Sequence, residues 1–343
     1  MLKKKHLDRS DAGHALSNTQ VKYSLIEATL NEAGNLLSLY WLCKVAGVSR
    51  SGYYNCLNVT RPNQQQRDQA DQEDFKTILK AFFKHRYQKG SRSIHMTLLH
   101  EQTVMNRKKI LRLMRKYGLY CKHRRPRTRK RIIRETQEYS IKPNLVQRQF
   151  KAFGPRTVLL TDITYCLYGQ DKRAYLSTIK DAYTNEILAY QLSASLEVEF
   201  VLATINQLIE EEGMTLNHET IIHSDQGSHY TSMRFQELLE DHDLIQSMSR
   251  RGNCWDNAPQ ESFYGHMKDE VDIAGCQTFE ALQAAIDHYM NYYNHDRYQW
   301  GLAKLAPRQY YEFVTTGYYP LADLIETPEI PAVRTCDVNE SAM

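Results

Sequence analysis

The sequence predicts an α/β domain with a mixed sheet of five strands, preceded by an all-α basic segment. Three observations carry that reading: a charge split along the chain, a change of hydrophobic pattern near Lys151, and three acidic residues in strand, strand-edge and helix positions of the second half. With 343 residues the chain has room for roughly two or three domains. Its 42% apolar content is enough for a substantial core, and no stretch is apolar for long enough to span a membrane. Met1-Leu2-Lys3-Lys4-Lys5-His6 is basic but lacks the apolar run of a signal peptide. The 7 cysteines contain no C-x-x-C pair, which suits reduced thiols in a cytosolic protein better than a disulfide framework or a zinc site.

The net charge of +4 conceals a division. Residues 1–150 carry 31 Lys and Arg against 11 Asp and Glu, and the remainder carries 13 against 29. Such polarity implies separate jobs: a basic half that grips a polyanion and an acidic half that cannot do so unaided.

In chain order, Leu37 to Ala46 reads as a helix that Gly47 stops, and a second helix starts at Arg50 behind Ser49. Gly47 can adopt a left-handed turn and Ser49 is a fitting N-cap, so the pair has the form of a helix-turn-helix with Arg50 as a DNA contact. Any two packed helices could share that pattern. Residues 62–74 are polar and read as a linker. Helices are then expected over Phe75–His85, Ser93–Glu101 and Arg107–Tyr117. From Arg107 to Arg134 there are 14 Lys and Arg in 28 residues and no acid. That density favours a phosphate-binding surface over a merely solvated face, with Arg107, Lys108 and Arg112 on the helix. Arg124, Arg125, Arg127, Arg129, Lys130 and Arg131 form the arm that follows. Contacts of this kind supply affinity and no sequence readout.

Past Lys151 the pattern changes. Val158–Tyr165 is apolar and β-branched, hence a strand. Ala174–Ile179 and Glu186–Leu192 read as two more, with turn signals at Gly169-Gln170-Asp171 and Thr184-Asn185. A helix over Glu197–Glu212, a strand Thr220–His223, a helix Ser232–Asp241 and a strand Ile245–Ser249 follow. Helices Pro259–Val271 and Phe279–Asn294 then dominate, giving an α/β domain.

Asp162 lies inside an apolar strand, where an unpaired carboxylate is expensive to bury. Asp225 follows a short buried strand, at the kind of edge where ligand sites of α/β sheets gather. Glu261 falls in the first turn of a helix behind the turn-rich Arg251–Pro259. Taken singly, each also suits a cap or an ion pair. Brought together, three carboxylates repel by roughly 4 kcal/mol per pair at about 4 Å and an effective dielectric near 20. A divalent cation removes that cost, and all-oxygen ligands select a hard ion such as magnesium or manganese over zinc.

Thr161-Asp162-Ile163-Thr164-Tyr165, His223-Ser224-Asp225-Gln226-Gly227-Ser228-His229-Tyr230 and Asp256-Asn257-Ala258-Pro259-Gln260-Glu261-Ser262-Phe263 together resemble the core of the IS-three-type bacterial insertion-sequence transposases. Thirty-five residues separate Asp225 from Glu261, the spacing these enzymes share with retroviral integrases. Lys268, seven residues after Glu261, matches the family's basic residue about two turns along the same helix. Tyr292-Tyr293-Asn294-His295-Asp296-Arg297, Leu302 and Pro307-Arg308-Gln309-Tyr310 resemble its closing motif. Leu42–Tyr54 resembles the opening of its second reading-frame product, and Gly90–Ile94 with Asn106–Gly118 its helix-turn-helix-like segment. The resemblance covers about residues 40–312. Gly90-Ser91-Arg92-Ser93 departs from the family's Gly-aromatic-Arg-Arg, Gln299 stands where His is frequent, and residues 1–35 match nothing in the pattern.

The resemblance implies an RNase H-like integrase core holding two Mg2+ or Mn2+ ions on Asp162, Asp225 and Glu261. Metal-dependent 3′-end cleavage and strand transfer, with Lys268 positioning phosphate, follow from it. No structural zinc is implied. His223 and His229 suit either proton transfer or ordinary packing, and Trp255 either a packing anchor or a base-stacking platform. The expected organisation is a helix-turn-helix-like segment (1–60), a helical basic DNA-binding segment (61–135), a linker (136–150), the catalytic core (151–275), a helical extension (276–320) and a disordered tail (321–343). Expected partners are insertion-sequence ends and target DNA, further copies of the chain in a synaptic complex, and the upstream-frame helix-turn-helix and zipper product. The expected location is the cytoplasm, at the nucleoid. A DNA-binding regulator with an inactive core and a nuclease that does not join strands are the rival readings.

Overall fold

The computed structural model describes residues 18–86, 89–121, 141–216, 219–250 and 254–334. The chain forms two compact units, Met1–Lys84 with Met105–Cys121, and His85–Val104 with Lys122–Met343. The basic arm residues Arg124, Arg125, Arg127, Arg129, Lys130 and Arg131 lie outside the described residues.

The first unit is helical: α1 (Asn18–Leu30), α2 (Leu39–Ala46), α3 (Arg50–Asn55) and α4 (Arg61–Phe83), joined to α3 by a π-helical turn over Cys56–Thr60. Of the next two helices, α5 (Ser91–His100) belongs to the second unit and α6 (Arg107–Lys116) to the first. Gly47 ends α2 in the left-handed region at φ 65°, and Ser49 caps α3 by accepting from the Gly52 amide at 3.0 Å. Ile26, Cys43 and Tyr53 form the small core of α1–α3. Gly52 is required there, since a Cβ would lie 2.4 Å from the Tyr23 hydroxyl.

Residues 62–74, expected as a linker, lie within α4. Pro62 follows the π-helical turn, where the wider i to i−5 bonding of the Arg61 amide to the Cys56 carbonyl accompanies its missing N–H. The polar residues that suggested a loop have partners on α6. Asp71, with a side chain only 12% exposed, takes both arms of Arg112 at 2.8 and 2.6 Å, and Lys116 at 2.8 Å. Lys116 also reaches Asp68 at 2.6 Å, and Phe75 stacks on Tyr117 at 4.3 Å. Arg112, expected as a phosphate contact, is therefore committed to holding α6 on α4.

The second unit is built on the strands β1 (Val158–Tyr168), β2 (Lys172–Asp181), β3 (Ile187–Ser193), β4 (Ile221–Ser224) and β5 (Ile245–Met248). Its later helices are α7 (Val198–Glu212), α8 (Met233–Asp241), α9 (Ala258–Glu270), α10 (Phe279–His295) and α11 (Pro307–Thr316). The sheet order is β3-β2-β1-β4-β5; β1–β2 and β2–β3 are antiparallel, β1–β4 and β4–β5 parallel. A three-stranded meander continued by two parallel strands, with helices on both faces, is the RNase H-like arrangement. Phe200, Val201, Ile205 and Leu208 of α7, with Phe235 and Leu239 of α8, pack with Leu159, Ile179 and Ala189. Phe263, Tyr264 and Met267 of α9, with Leu282, Ile286 and Tyr289 of α10, pack with Cys166, Ala174 and Leu176.

Two features lock the unit from its ends. Arg156, just before β1, is buried among Asp181 at 3.2 Å, Glu186 at 2.8 Å and Glu212 at 3.1 Å, and Arg308 of α11 adds a second bond to Glu186 at 3.2 Å. The residues 321–334, expected within a disordered tail, are instead packed. Leu321 is buried, the Tyr183 hydroxyl donates to the Pro331 carbonyl at 3.4 Å, and the Arg334 amide donates to Ala152 at 2.7 Å. The expected linker is likewise packed in part, with Val146 buried against Val158 and Leu160.

The Asp71 pairs generate a testable expectation. Arg112 and Lys116 hold the Asp71 carboxyl well below the usual carboxylate range. The stabilisation is therefore full above the unfolded value of about 3.9 and is lost as pH falls through the lower folded value. Asp71→Ala should cost the helical unit about 1–3 kcal/mol, between the limits for exposed and buried pairs. Urea unfolding followed by hydrogen exchange in α4 and α6 measures this, and the gap between wild type and Asp71→Asn should narrow below about pH 4.

Candidate active site

The sheet register decides where the acids meet. Asp162 sits in the middle of β1 opposite Thr178 of β2. β1 and β4 run parallel with Leu160 beside His223, so Asp225, one residue past β4, comes up next to Asp162. Glu261 lies in the first turn of α9, as expected.

The two aspartates are held by backbone. The Ile163 amide donates to Asp162 Oδ1 at 2.8 Å and the Gly227 amide to Asp225 Oδ1 at 2.8 Å. Among the described residues, the second oxygen of each takes no hydrogen bond. Burial first, then the charge of Asp225 and to a lesser degree that of Glu261, pushes the Asp162 carboxyl up to about 8, with the Ile163 amide and Lys268 opposing. Asp225 stays open to solvent on one side while its loop desolvates the other. That raises its carboxyl, against the pull of the Gly227 amide and His229. Asp225 and Glu261 thus both lie within electrostatic reach of Asp162. Among the described residues, no three His, Cys, Asp or Glu side chains converge into a metal-holding group as they stand.

The supports of the site come from contacts that no sequence spacing announces. Tyr264, one turn after Glu261, donates to the Asp162 carbonyl and shares a 2.8 Å hydrogen bond with Thr178. Gln260, fully buried, donates to the same Thr178 hydroxyl. This chain pins the first turns of α9 to the strand pair carrying Asp162. Behind it, Asp256 is buried and accepts from Arg148 at 2.8 Å, Arg250 at 3.0 Å and Asn144 at 3.0 Å. His223 joins Asp256 to the sheet through Nε2 to its carbonyl at 3.1 Å, and bonds Ser247 through Nδ1 at 2.9 Å. Buried and held down to about 4 by desolvation, His223 is a neutral packing residue. His229 is exposed and bonded through Nε2 to the Leu196 carbonyl at 3.1 Å. The side chain of Trp255 falls outside the described residues.

Lys268 reaches back to β1. Its Nζ donates to Thr164 Oγ1 at 2.5 Å and lies 4.7 Å from the Tyr165 ring centre, and its charge acts on Asp162. In the helical unit, Arg107 and Lys108 are exposed at the start of α6, and Arg50 is exposed with its guanidinium 5.7 Å from the Tyr40 ring centre.

The comparisons with known proteins agree with this geometry. A family model described as integrase core domain matches residues 153–254, another of the same description residues 261–313, and one described as HTH-like domain residues 69–127. A transposase-like protein of Haemophilus influenzae is 38% identical over 62% of this chain and 95% of its own length. The putative transposase InsK for insertion sequence element IS150 of Escherichia coli is 32% identical over 82% of this chain and 96% of its own. The transposase InsF for insertion sequence IS3A of the same organism is 28% identical over 84% and 98%.

Gly227 offers a check on the geometry, because a Cβ there would lie 2.9 Å from Asp225 Oδ1. Gly227→Ala should move that carboxylate and lower single-turnover DNA cleavage by about a hundredfold, the cost of a misplacement near 1 Å. Thermal unfolding should stay close to wild type. Unchanged cleavage would mean that the Asp225 position is not tightly constrained.

Proposed function

This chain belongs to the IS-three-type bacterial insertion-sequence transposases and acts in DNA transposition, and on that premise we propose that Asp162, Asp225 and Glu261 are its catalytic metal ligands. The observation that carries the reading is the Asp162 carboxyl in the middle of the sheet, raised first by burial and then by the charges of Asp225 and Glu261. Like-charge repulsion of that kind is what a bound cation relieves, and a donor set of carboxylates without sulfur suits Mg2+ or Mn2+. Two such ions, held by these three carboxylates, would supply Lewis-acid stabilisation of the attacking and leaving oxygens.

The protein's own groups set the geometry. The Ile163 and Gly227 amides orient one oxygen of each aspartate and leave the other for a ligand. Tyr264 and Gln260 fix the turn of α9 that presents Glu261. Lys268, steadied by Thr164 and Tyr165, places a positive charge beside Asp162 and holds a phosphate there. In this reading water first opens a 3′ end of the element, and the freed 3′-hydroxyl then attacks a phosphodiester of the target. No covalent protein–DNA intermediate forms. Arg50, Arg107, Lys108 and the basic arm supply most of the affinity, since the second half of the chain is acidic. We also propose action in the cytoplasm at the nucleoid, by several copies in a synaptic complex, with the upstream-frame product as a partner.

Asp162→Asn, Asp225→Asn and Glu261→Gln should each reduce cleavage and joining of labelled end-containing DNA to background, while the affinity for that DNA stays within about twofold. Chelation should have the same effect on the wild type, reversed by Mg2+ or Mn2+. Full metal-dependent activity in any of the three variants would refute the assignment, and cleaved ends without joined products would reduce the enzyme to a nuclease.

A further inference from the structure

Beside the first turn of α9 the second unit holds a cavity of about 740 Å³, bordered by Arg148, Phe150, Lys151, Asn185, Pro259 and Arg334. Three cations, Arg148, Lys151 and Arg334, meet at this rim, two of them from the half of the chain that carries 29 acids against 13 bases. Arg148 is held by Asp256, and Arg334 donates to Gln149 Oε1 at 3.2 Å. Lys151 makes no hydrogen bond or ion pair among the described residues. Partial desolvation at the rim lowers its ammonium, against the field of Asp181. A second lysine, Lys180, is buried behind the cavity wall and donates to the Pro259 carbonyl at 2.9 Å. Burial and the fields of Lys151 and Arg297 push it down to about 7. Desolvated like charges of this kind are stabilised by an anion.

The walls between these cations are apolar: Phe150, Ala152, Ala182, Pro259 and Ala332. A cationic rim over apolar walls, with a volume inside the range of about 300–1,000 Å³ usual for ligand sites, matches an anionic group attached to a flat apolar one. Pro259 is two residues before Glu261, so an occupant would lie next to the helix turn that bears a proposed metal ligand. We propose that this cavity takes one unpaired nucleotide of the DNA strand being processed, with its phosphate between Lys151 and Arg334 and its base against Phe150. The inference rests on the strand-cleaving reading of the neighbouring acids. Phosphate contacts from Lys and Arg with a base stacked on an aromatic ring are the general means of holding single-stranded nucleic acid.

Photo-crosslinking of the full chain to end-containing DNA tests it, with 5-iododeoxyuridine placed in turn at each position around the cleavage site and adducts mapped by mass spectrometry. One placement should give an adduct on the peptide spanning residues 148–152. Lys151→Gln combined with Arg334→Gln should lower its yield at least about fivefold, the scale of one lost stacking and phosphate contact, while total DNA binding changes less than about twofold. Both side chains are exposed at the rim, so the double variant should unfold at the wild-type temperature. No adduct in this peptide from any placement, or a yield indifferent to the double variant, overturns the proposal. Asp162→Asn separates the two readings. It should crosslink like the wild type without cleaving, whereas loss of cleavage with no adduct in any protein leaves the metal site standing and removes the nucleotide pocket.

Discussion

An acid in the middle of a buried strand is the constraint to which the second unit answers. Asp162 could be neutralised by a nearby arginine, and the chain does this elsewhere, for Asp256 and for Asp71. At Asp162 it places two further acids and one lysine instead. The cost of that choice is borne by the surroundings. The Tyr264, Thr178 and Gln260 chain of hydrogen bonds ties α9 to the strands, and the His223 and Asp256 contacts tie the loop before α9 to β4. A site whose members repel keeps its shape only if the backbone carrying them is fixed independently of them.

The two kinds of acid explain how charge is divided in this protein. Asp71 and Asp256, matched by arginine, end well below the usual carboxylate range, whereas burial raises Asp181 in spite of Arg156. The site acids Asp162 and Asp225 are raised. The same contrast runs through the cations. Arg112 sits in the most basic stretch of the sequence yet serves packing, whereas Lys151 and Lys268, in the acidic half, face a cavity and the acid site.

Much of this was legible in the sequence, for reasons of local chemistry. Strands that read as apolar runs are strands, and Gly47 and Ser49 act as the stop and cap their types imply. Asp162, Asp225 and Glu261 lie on strand, strand edge and first helical turn as spacing suggested. What was not legible depends on partners distant in sequence. Helix α4 reads as a polar linker until Asp71 is seen against Arg112, and residues 321–334 read as a tail until Tyr183 and Ala152 are seen to hold them. The roles of Tyr264 and Gln260 were not legible, because they depend on the pairing of Asp162 with Thr178 across two strands.

The cluster around Arg156 ties the maturation of the fold to the order of synthesis. Asp181, Glu186 and Glu212 are made early, and until α11 emerges they have Arg156 as their cation; Arg308 arrives roughly a hundred residues after Glu212. Buried acids left short of a counter-ion keep a sheet from closing tightly. A chain that ends before α11 thus holds all five strands but lacks the second cation of Glu186 and Glu212.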